Sequence, residues 1–222
     1  MQQPALVFDV NETLSDLSAL QPAFAAVGAP PALATTWFAA TLRDGFALTA
    51  QHDAAPFAEV ARACLVGLLS RQDGLDRAAE AAAELVLDRF RDLPVHADVP
   101  EGLRSLAATG CPLVTLSNGA TAVAERLLAT AGVRSLFDQL LSVEETGVWK
   151  PHPDAYGYGA TRAGRRPEEL VLVAVHPWDI DGAARAGWRT AYLDRTGTPW
   201  PRVFRRPDHH VQSLTELAEI LS

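Results

Sequence analysis

The chain has 222 residues, enough for one large domain or a core with a smaller insert. Hydrophobic residues make up 48%, which supports a sizeable core and opposes disorder. The net charge of −8 and the pI near 5.2 oppose a general nucleic-acid binder, which needs a basic face, but leave room for an anionic substrate held by a few local cations.

In chain order, Ala5 to Phe8 is a continuous apolar run and reads as a buried parallel strand, followed at once by Asp9, Asn11, Glu12 and Thr13. The preceding residues lack a basic region, a long apolar stretch and a cleavage site, so no signal peptide is expected. No run of about 18 apolar residues appears anywhere, so no membrane span is expected and the cytoplasm is the expected location. From Ser15 to about residue 92 the pattern changes. ATTWFAATLRDGFAL and DRAAEAAAELVLDRFRDL are Ala- and Leu-rich with helical spacing, and DLPVHADVPEGL leads back to strand-like sequence. A helical lid here would exclude water from the sheet's carboxyl edge.

Strand-like runs resume at CPLVTLSNG (111 to 119), ELVLVAV (169 to 175) and RTAYLD (189 to 194), with helical segments at 122 to 132, 180 to 187 and the end of the chain. This alternation predicts an α/β fold, a doubly wound parallel sheet built from residues 1–14 and 93–222, with a helical cap inserted at 15–92. Cys64 and Cys111 are expected to be buried thiols in a reducing compartment. His209 and His210 are expected to be surface loop residues without a metal, since adjacent side chains point to opposite sides of an extended chain.

Open α/β sheets hold ligands beyond the carboxyl ends of their strands. There this chain places Asp9, Ser117-Asn118, Lys150 and Asp179. Each has an ordinary reading on its own: a helix cap for Asp9 or Asp179, a turn for Ser117-Asn118-Gly119, a surface lysine for Lys150. Together they supply a carboxylate nucleophile, donors to steady its charge and a cation beside it.

FDVNETL (8 to 14), LSNG (116 to 119), WKPHPDAY (149 to 156) and HPWDIDGA (176 to 183) resemble the motifs of the haloacid dehalogenase superfamily, and the resemblance covers essentially the whole chain. Tyr156 six residues after Lys150, the Trp178-Asp179 pair and DRTGTPWP (194 to 201) make it most similar to the L-2-haloacid dehalogenases. The resemblance implies a Rossmann-like core with a cap, a homodimer, and roles for single residues. Asp9 would be the nucleophile, with Thr13 and Asn118 holding its oxygens. Lys150 would keep Asp9 ionised. Ser117 would bind the substrate carboxylate or the developing oxyanion, Tyr156 and Trp178 would help shape the pocket, and Asp179 would orient Lys150 or a hydrolytic water.

Magnesium phosphatases of that superfamily resemble one another in carrying an Asp two residues after the nucleophile, as the acid that protonates an alkoxide leaving group. Here that position is Asn11, which cannot donate a proton at neutral pH, whereas a halide leaves without one. Aligning Asp179 with the second acid of the last loop puts Val175 where phosphatases place a metal-binding acid. No catalytic metal and no cofactor are therefore expected, and Glu12 and Asp181 read as solvated turn acids. The expected reaction is hydrolysis of a small anionic 2-haloacid to a 2-hydroxy acid through an aspartyl ester. Two departures stand out. Members of the family carry an Arg straight after the cap-helix Trp, but Trp37 is followed by Phe38, which would line an apolar halide pocket or the cap core. Arg43 replaces that arginine only if the cap helix breaks near Gly45; otherwise it is a surface cation. Ala174 and His176 stand where the family has Ser and Asn, and His176 either activates the ester-cleaving water or bonds the backbone. A phosphatase and a non-catalytic binding protein on the same fold stay open as alternatives.

Overall fold

The computed structural model describes residues 3–221. Among them six parallel strands form one sheet: β1 (Ala5–Phe8), β2 (Leu113–Ser117), β3 (Gln139–Ser142), β4 (Leu170–Ala174), β5 (Arg189–Leu193) and β6 (His209–Val211). Their order is β3-β2-β1-β4-β5-β6. The apolar runs at β1, β2 and β4 are buried at every position, as strands covered on both faces must be. β1 lies centrally, with Leu6 opposite both Leu113 and Val171. The chain winds outward from β1 through β2 in one direction and through β4 in the other. The crevice between the loops after β1 and β4 is therefore the switch point at which such sheets bind ligands.

Helices α1 (Gln21–Ala26), α2 (Leu33–Thr49), α3 (Phe57–Leu69) and α4 (Ala79–Arg91) occupy the segment between β1 and β2. Then follow α5 (Val99–Ala108), α6 (Thr121–Thr130), α7 (Pro153–Ala163), α8 (Pro177–Arg185) and α9 (Leu214–Leu221). Alternation along β1 sends Leu6 and Phe8 into one core with α5, α6 and α9, and Ala5 and Val7 into another. The second core continues without a break into Trp37, Phe57 and Leu65 of the helical segment. Among the described residues no helix is long and apolar enough to cross a membrane.

Several elements differ from the sequence expectation. α5 begins inside the stretch expected only to lead back to the core, because Asp98 precedes an apolar set (Val99, Leu103, Leu106) with helical spacing. β3 and β6 are only four and three residues long and carry polar residues, so neither shows an apolar run. β6 contains His209 and His210, which are edge-strand residues paired with Ala191 and Tyr192, not loop residues. Cys111 is buried and Cys64 half-buried, and neither is in a disulfide.

α2 runs unbroken through Gly45, so the break that would bring Arg43 to the site is absent. The glycine serves packing instead: a Cβ there would lie 2.1 Å from the Trp149 ring. The Trp149 backbone N–H donates to Thr49 Oγ1 at 3.0 Å and its indole N–H to the Ala55 carbonyl at 3.1 Å. The residue before Lys150 is thus latched to the helical segment. That segment leaves and rejoins the core through a paired crossing, Ser15 bridging Val95 and His96 N–H donating to the Leu14 carbonyl at 3.0 Å.

Candidate active site

Asp9 lies just past β1, 4% exposed. Its Oδ2 accepts a 2.7 Å hydrogen bond from Thr13 Oγ1, and its Oδ1 accepts one of 3.0 Å from Lys150 Nζ. Lys150 has no exposed surface and also donates to Asp179 Oδ2 at 2.6 Å. Asp179 Oδ1 accepts from the Tyr156 hydroxyl at 2.6 Å. Five side chains thus form one buried chain, a single ammonium between two carboxylates with a hydroxyl at each end. Thr13 Oγ1 also accepts from the Val175 backbone N–H at 3.2 Å, which ties the loop after β1 to the exit of β4.

Burial pushes the Asp9 carboxyl upward. The fields of Lys150 and His176 and the bonds from Thr13 and Lys150 outweigh it, so Asp9 sits below its ordinary value of 3.8. Burial opposes charge on Lys150, but Asp179 and Asp9 hold the ammonium above its ordinary 10.5. Asp179 is raised, by burial first and also by the charge of Asp9. Asp9 is therefore an ionised carboxylate at neutral pH, beside a charged lysine.

His176 caps the start of α8, and its ring nitrogen Nε2 faces three oxygens: the Asn11 carbonyl at 3.2 Å, Asp9 Oδ2 at 3.6 Å and Glu12 Oε2 at 3.8 Å. All three are acceptors, so the arrangement calls for a proton on Nε2. The ring lies between Phe38 at 6.3 Å and Trp178 at 5.0 Å, near parallel to both. Of the two expectations for His176, the bond to the backbone is present, at the Asn11 carbonyl.

Some of the other expected residues are placed differently from the sequence reading. Asn118 does not spend its amide on Asp9: its Oδ1 accepts from the Lys150 N–H at 2.9 Å and its Nδ2 donates to the Lys150 carbonyl at 3.3 Å. It positions the lysine. Tyr156 is fully buried under Asp179 rather than on a pocket wall. Arg43 is outside the site: its side chain is 72% exposed and paired with Asp44 at 2.7 Å. Its helix turns Trp37, Phe38, Thr41 and Gly45 inward, which leaves position 43 facing solvent. Phe38, 2% exposed, packs on Trp37 and Phe57 and also covers His176, so it belongs to both the cap core and the site roof. Ser117 is 3% exposed, and its Oγ accepts from Gly119 N–H at 2.9 Å, leaving its own hydrogen to donate. Asp181 is not a solvated turn acid; it is 8% exposed, pairs with Arg185 at 2.7 Å and accepts from the Arg205 N–H at 3.0 Å.

Two residues that sequence reasoning did not single out hold the loop after β1. His96 Nε2 lies 2.9 Å from the Glu12 carbonyl, and Arg195 donates to the Thr13 carbonyl at 2.9 Å while pairing with Asp98 at 2.8 Å. With His176 on Asn11, three successive carbonyls are each taken by a side chain from elsewhere. Glu12 between them has φ of +61°, a left-handed conformation uncommon for a non-glycine residue, and these bonds fix it. The partners lie 84 and 182 residues away in sequence, beyond any spacing rule.

Magnesium demands a near-octahedral set of oxygens. Here Asp9 Oδ2 is bonded to Thr13, the Asn11 carbonyl and that same Oδ2 face His176, and Val175 contributes only a backbone N–H. The residues present do not suit that ion. Among the described residues no group of three or more His, Cys, Asp or Glu side chains is placed to hold a metal.

A model of the haloacid dehalogenase-like hydrolase family matches residues 4–187. The chain is 29% identical to (S)-2-haloacid dehalogenase 4A of Burkholderia cepacia, over 98% of this chain and 94% of that one. It is also 29% identical to (S)-2-haloacid dehalogenase 1 of Pseudomonas sp. (strain CBS-3), over 98% and 96%. A dehalogenase solved with an intermediate complex superposes with a TM-score of 0.91 at 27% identity, over 99% of this chain and 97% of its own. The L-2-haloacid dehalogenase of Xanthobacter autotrophicus agrees in fold, with a TM-score of 0.86 at 24% identity, over 99% and 98%.

Proposed function

The chain belongs to the haloacid dehalogenase-like hydrolases, and we propose that it hydrolyses 2-haloalkanoic acids to 2-hydroxy acids through an ester on Asp9. The observation that carries this reading is the buried Lys150 ammonium, held between Asp9 at 3.0 Å and Asp179 at 2.6 Å. It keeps Asp9 ionised and offsets the repulsion between two anionic reactants. Support comes from the two near full-length relatives, which are (S)-2-haloacid dehalogenases, and from the similar dehalogenase solved with an intermediate complex.

In the first step an Asp9 oxygen attacks C2 in line with the halogen. A carbon–oxygen bond forms, the carbon–halogen bond breaks, and the halide leaves with the bonding pair. A unit charge about 4 Å away at an effective dielectric near 20 is worth roughly 4 kcal/mol, which corresponds to several hundredfold or more in rate. In the second step water attacks the Asp9 side-chain carbonyl carbon. Thr13 and Lys150, already bonded to the two Asp9 oxygens, steady the oxyanion that forms. One water proton goes to the departing alkoxide, the other is released, and the water oxygen stays on Asp9.

Asn11 separates this reading from a phosphatase. An amide cannot protonate an alkoxide, and a halide needs no proton. His176 bonds the Asn11 carbonyl and keeps the nucleophile's loop in place, Asn118 and Asp179 position Lys150, Tyr156 positions Asp179, and Ser117 donates to the substrate carboxylate. Trp178 and Phe38 enclose His176. The helices of residues 15–92 act as the cap that excludes water. Assembly as a homodimer and a cytoplasmic location with reduced thiols complete the proposal.

The test is halide release from 2-chloropropanoate in the presence of EDTA. Release is expected to persist with the chelator and to fall at least about a thousandfold in Asp9→Asn. Magnesium-dependent phosphate release without halide release contradicts the reading, and no turnover on either substrate favours a binding protein.

A further inference from the structure

A cavity opens beside Asn11 and Ser117, bounded by α3 and α4 above and the first turn of α6 below. Its volume is about 70 Å³. One water needs roughly 10–15 Å³, so the space suits at least about five water-sized groups. The walls are mainly apolar, with Phe57, Ala61, Leu87, Phe90 and Val123. Among its lining residues the polar side chains are Asn11 and Ser117, which are buried, and Arg91, whose side chain is 47% exposed. The lining thus joins two buried polar groups, Asn11 and Ser117, to a mainly apolar wall and to Arg91, which is paired with Asp88.

Gly119 marks the junction. A Cβ there would stand 3.5 Å from Ser117 Oγ, 3.8 Å from Asn11 Nδ2 and 4.0 Å from the Phe57 ring. The glycine leaves the passage between the two polar groups and the apolar wall unobstructed. A second cleft flanks the loop on its other side and has apolar lining at Leu17, Ala34 and Val175, but Glu12, Asp16, His96, His176 and Arg195 line it too. An alkyl group placed there would lie against charged and hydrogen-bonding groups. The apolar cavity is the one that rewards burial of carbon.

C2 of a 2-haloacid carries a carboxylate, a halogen and a side chain. With the carboxylate at Ser117 and the halogen opposite Asp9, the side chain needs an apolar exit close to Ser117. We propose that this cavity receives it, and that the preferred substrates are 2-haloacids whose C2 bears an alkyl group of about four carbons. This inference rests on the dehalogenase reading and adds the substrate class to it.

The experiment compares kcat/KM for 2-chlorohexanoate and 2-chloropropanoate, in the wild type and in Val123→Phe and Val123→Ala. Val123 is half-buried on α6, where a change of volume is least disruptive to the core. Methylenes accepted by an apolar pocket are worth at least about tenfold in specificity, so the wild type is expected to favour the six-carbon acid by that factor or more. Val123→Phe is expected to lower the ratio about tenfold, and Val123→Ala to keep or raise it. A wild type that prefers 2-chloropropanoate, or a ratio unmoved in both variants, overturns the substrate assignment while leaving the dehalogenase reading intact. Halide release from neither acid overturns both.

Discussion

Asp9 and Arg43 are both charged, but one is 4% exposed and shares hydrogen bonds with Thr13 and Lys150, and the other is an exposed partner of Asp44. Arg43→Ala is therefore expected to leave kcat and KM for 2-chloropropanoate within twofold of the wild type, measured by halide release; a loss of an order of magnitude would return it to the site. Lys150→Met should behave very differently. It leaves Asp9 and Asp179 buried with no cation, and breaking a buried pair in this way costs about 3–5 kcal/mol, read as a lower midpoint in urea unfolding. Asp9, Thr13, Lys150 and Asp179 were legible in the sequence because each stands just past a strand or within a recognisable motif. Their partners were less legible. Residue order does not say which way an amide or a phenol points, so Asn118 and Tyr156 were expected at Asp9 and the pocket, and they instead hold Lys150 and Asp179. The clamps from His96 and Arg195 depend on tertiary contacts that no local pattern encodes.

At the scale of elements, Gly45 and Trp149 decide how the helical segment seats on the core. In an isolated helix Gly→Ala is stabilising by about 1 kcal/mol. Here the added methyl would stand 2.1 Å from the Trp149 ring, and overpacking costs about 1–3 kcal/mol. Gly45→Ala is expected to lower the thermal midpoint and, by shifting Trp149 next to Lys150, to slow halide release. A midpoint raised above the wild type would show that the tryptophan moves freely. The long apolar strands and the amphipathic helices were readable because burial on one or both faces imposes a period on the sequence. β3 and β6 were not, because short strands toward the sheet edge carry polar residues and depend on their neighbours for pairing.

At the scale of the whole molecule, the charge set by burial fixes the response to pH. Asp9 is depressed below 3.8, so its contribution to stability is present above that value and is lost as pH falls through its lower folded value. Asp179 is raised and acts in the opposite sense, weakening the molecule where it is ionised. Lys150 is raised above 10.5, so its contribution is complete below 10.5 and is lost as pH rises through its higher folded value. Neither Asp9 nor Lys150 should produce a limb in kcat/KM between 3.8 and 10.5. An Asp9 or Lys150 limb found inside that window would contradict this charge balance. The central claim, that Asp9 itself becomes esterified, has a direct test in a single turnover of 2-chloropropanoate in heavy-oxygen water, with enzyme in excess, followed by mass analysis of the peptide containing Asp9. One heavy oxygen in the Asp9 carboxylate and an unlabelled 2-hydroxy acid are the predicted result; a labelled product with unlabelled Asp9 would mean that water attacks C2 directly and would contradict it.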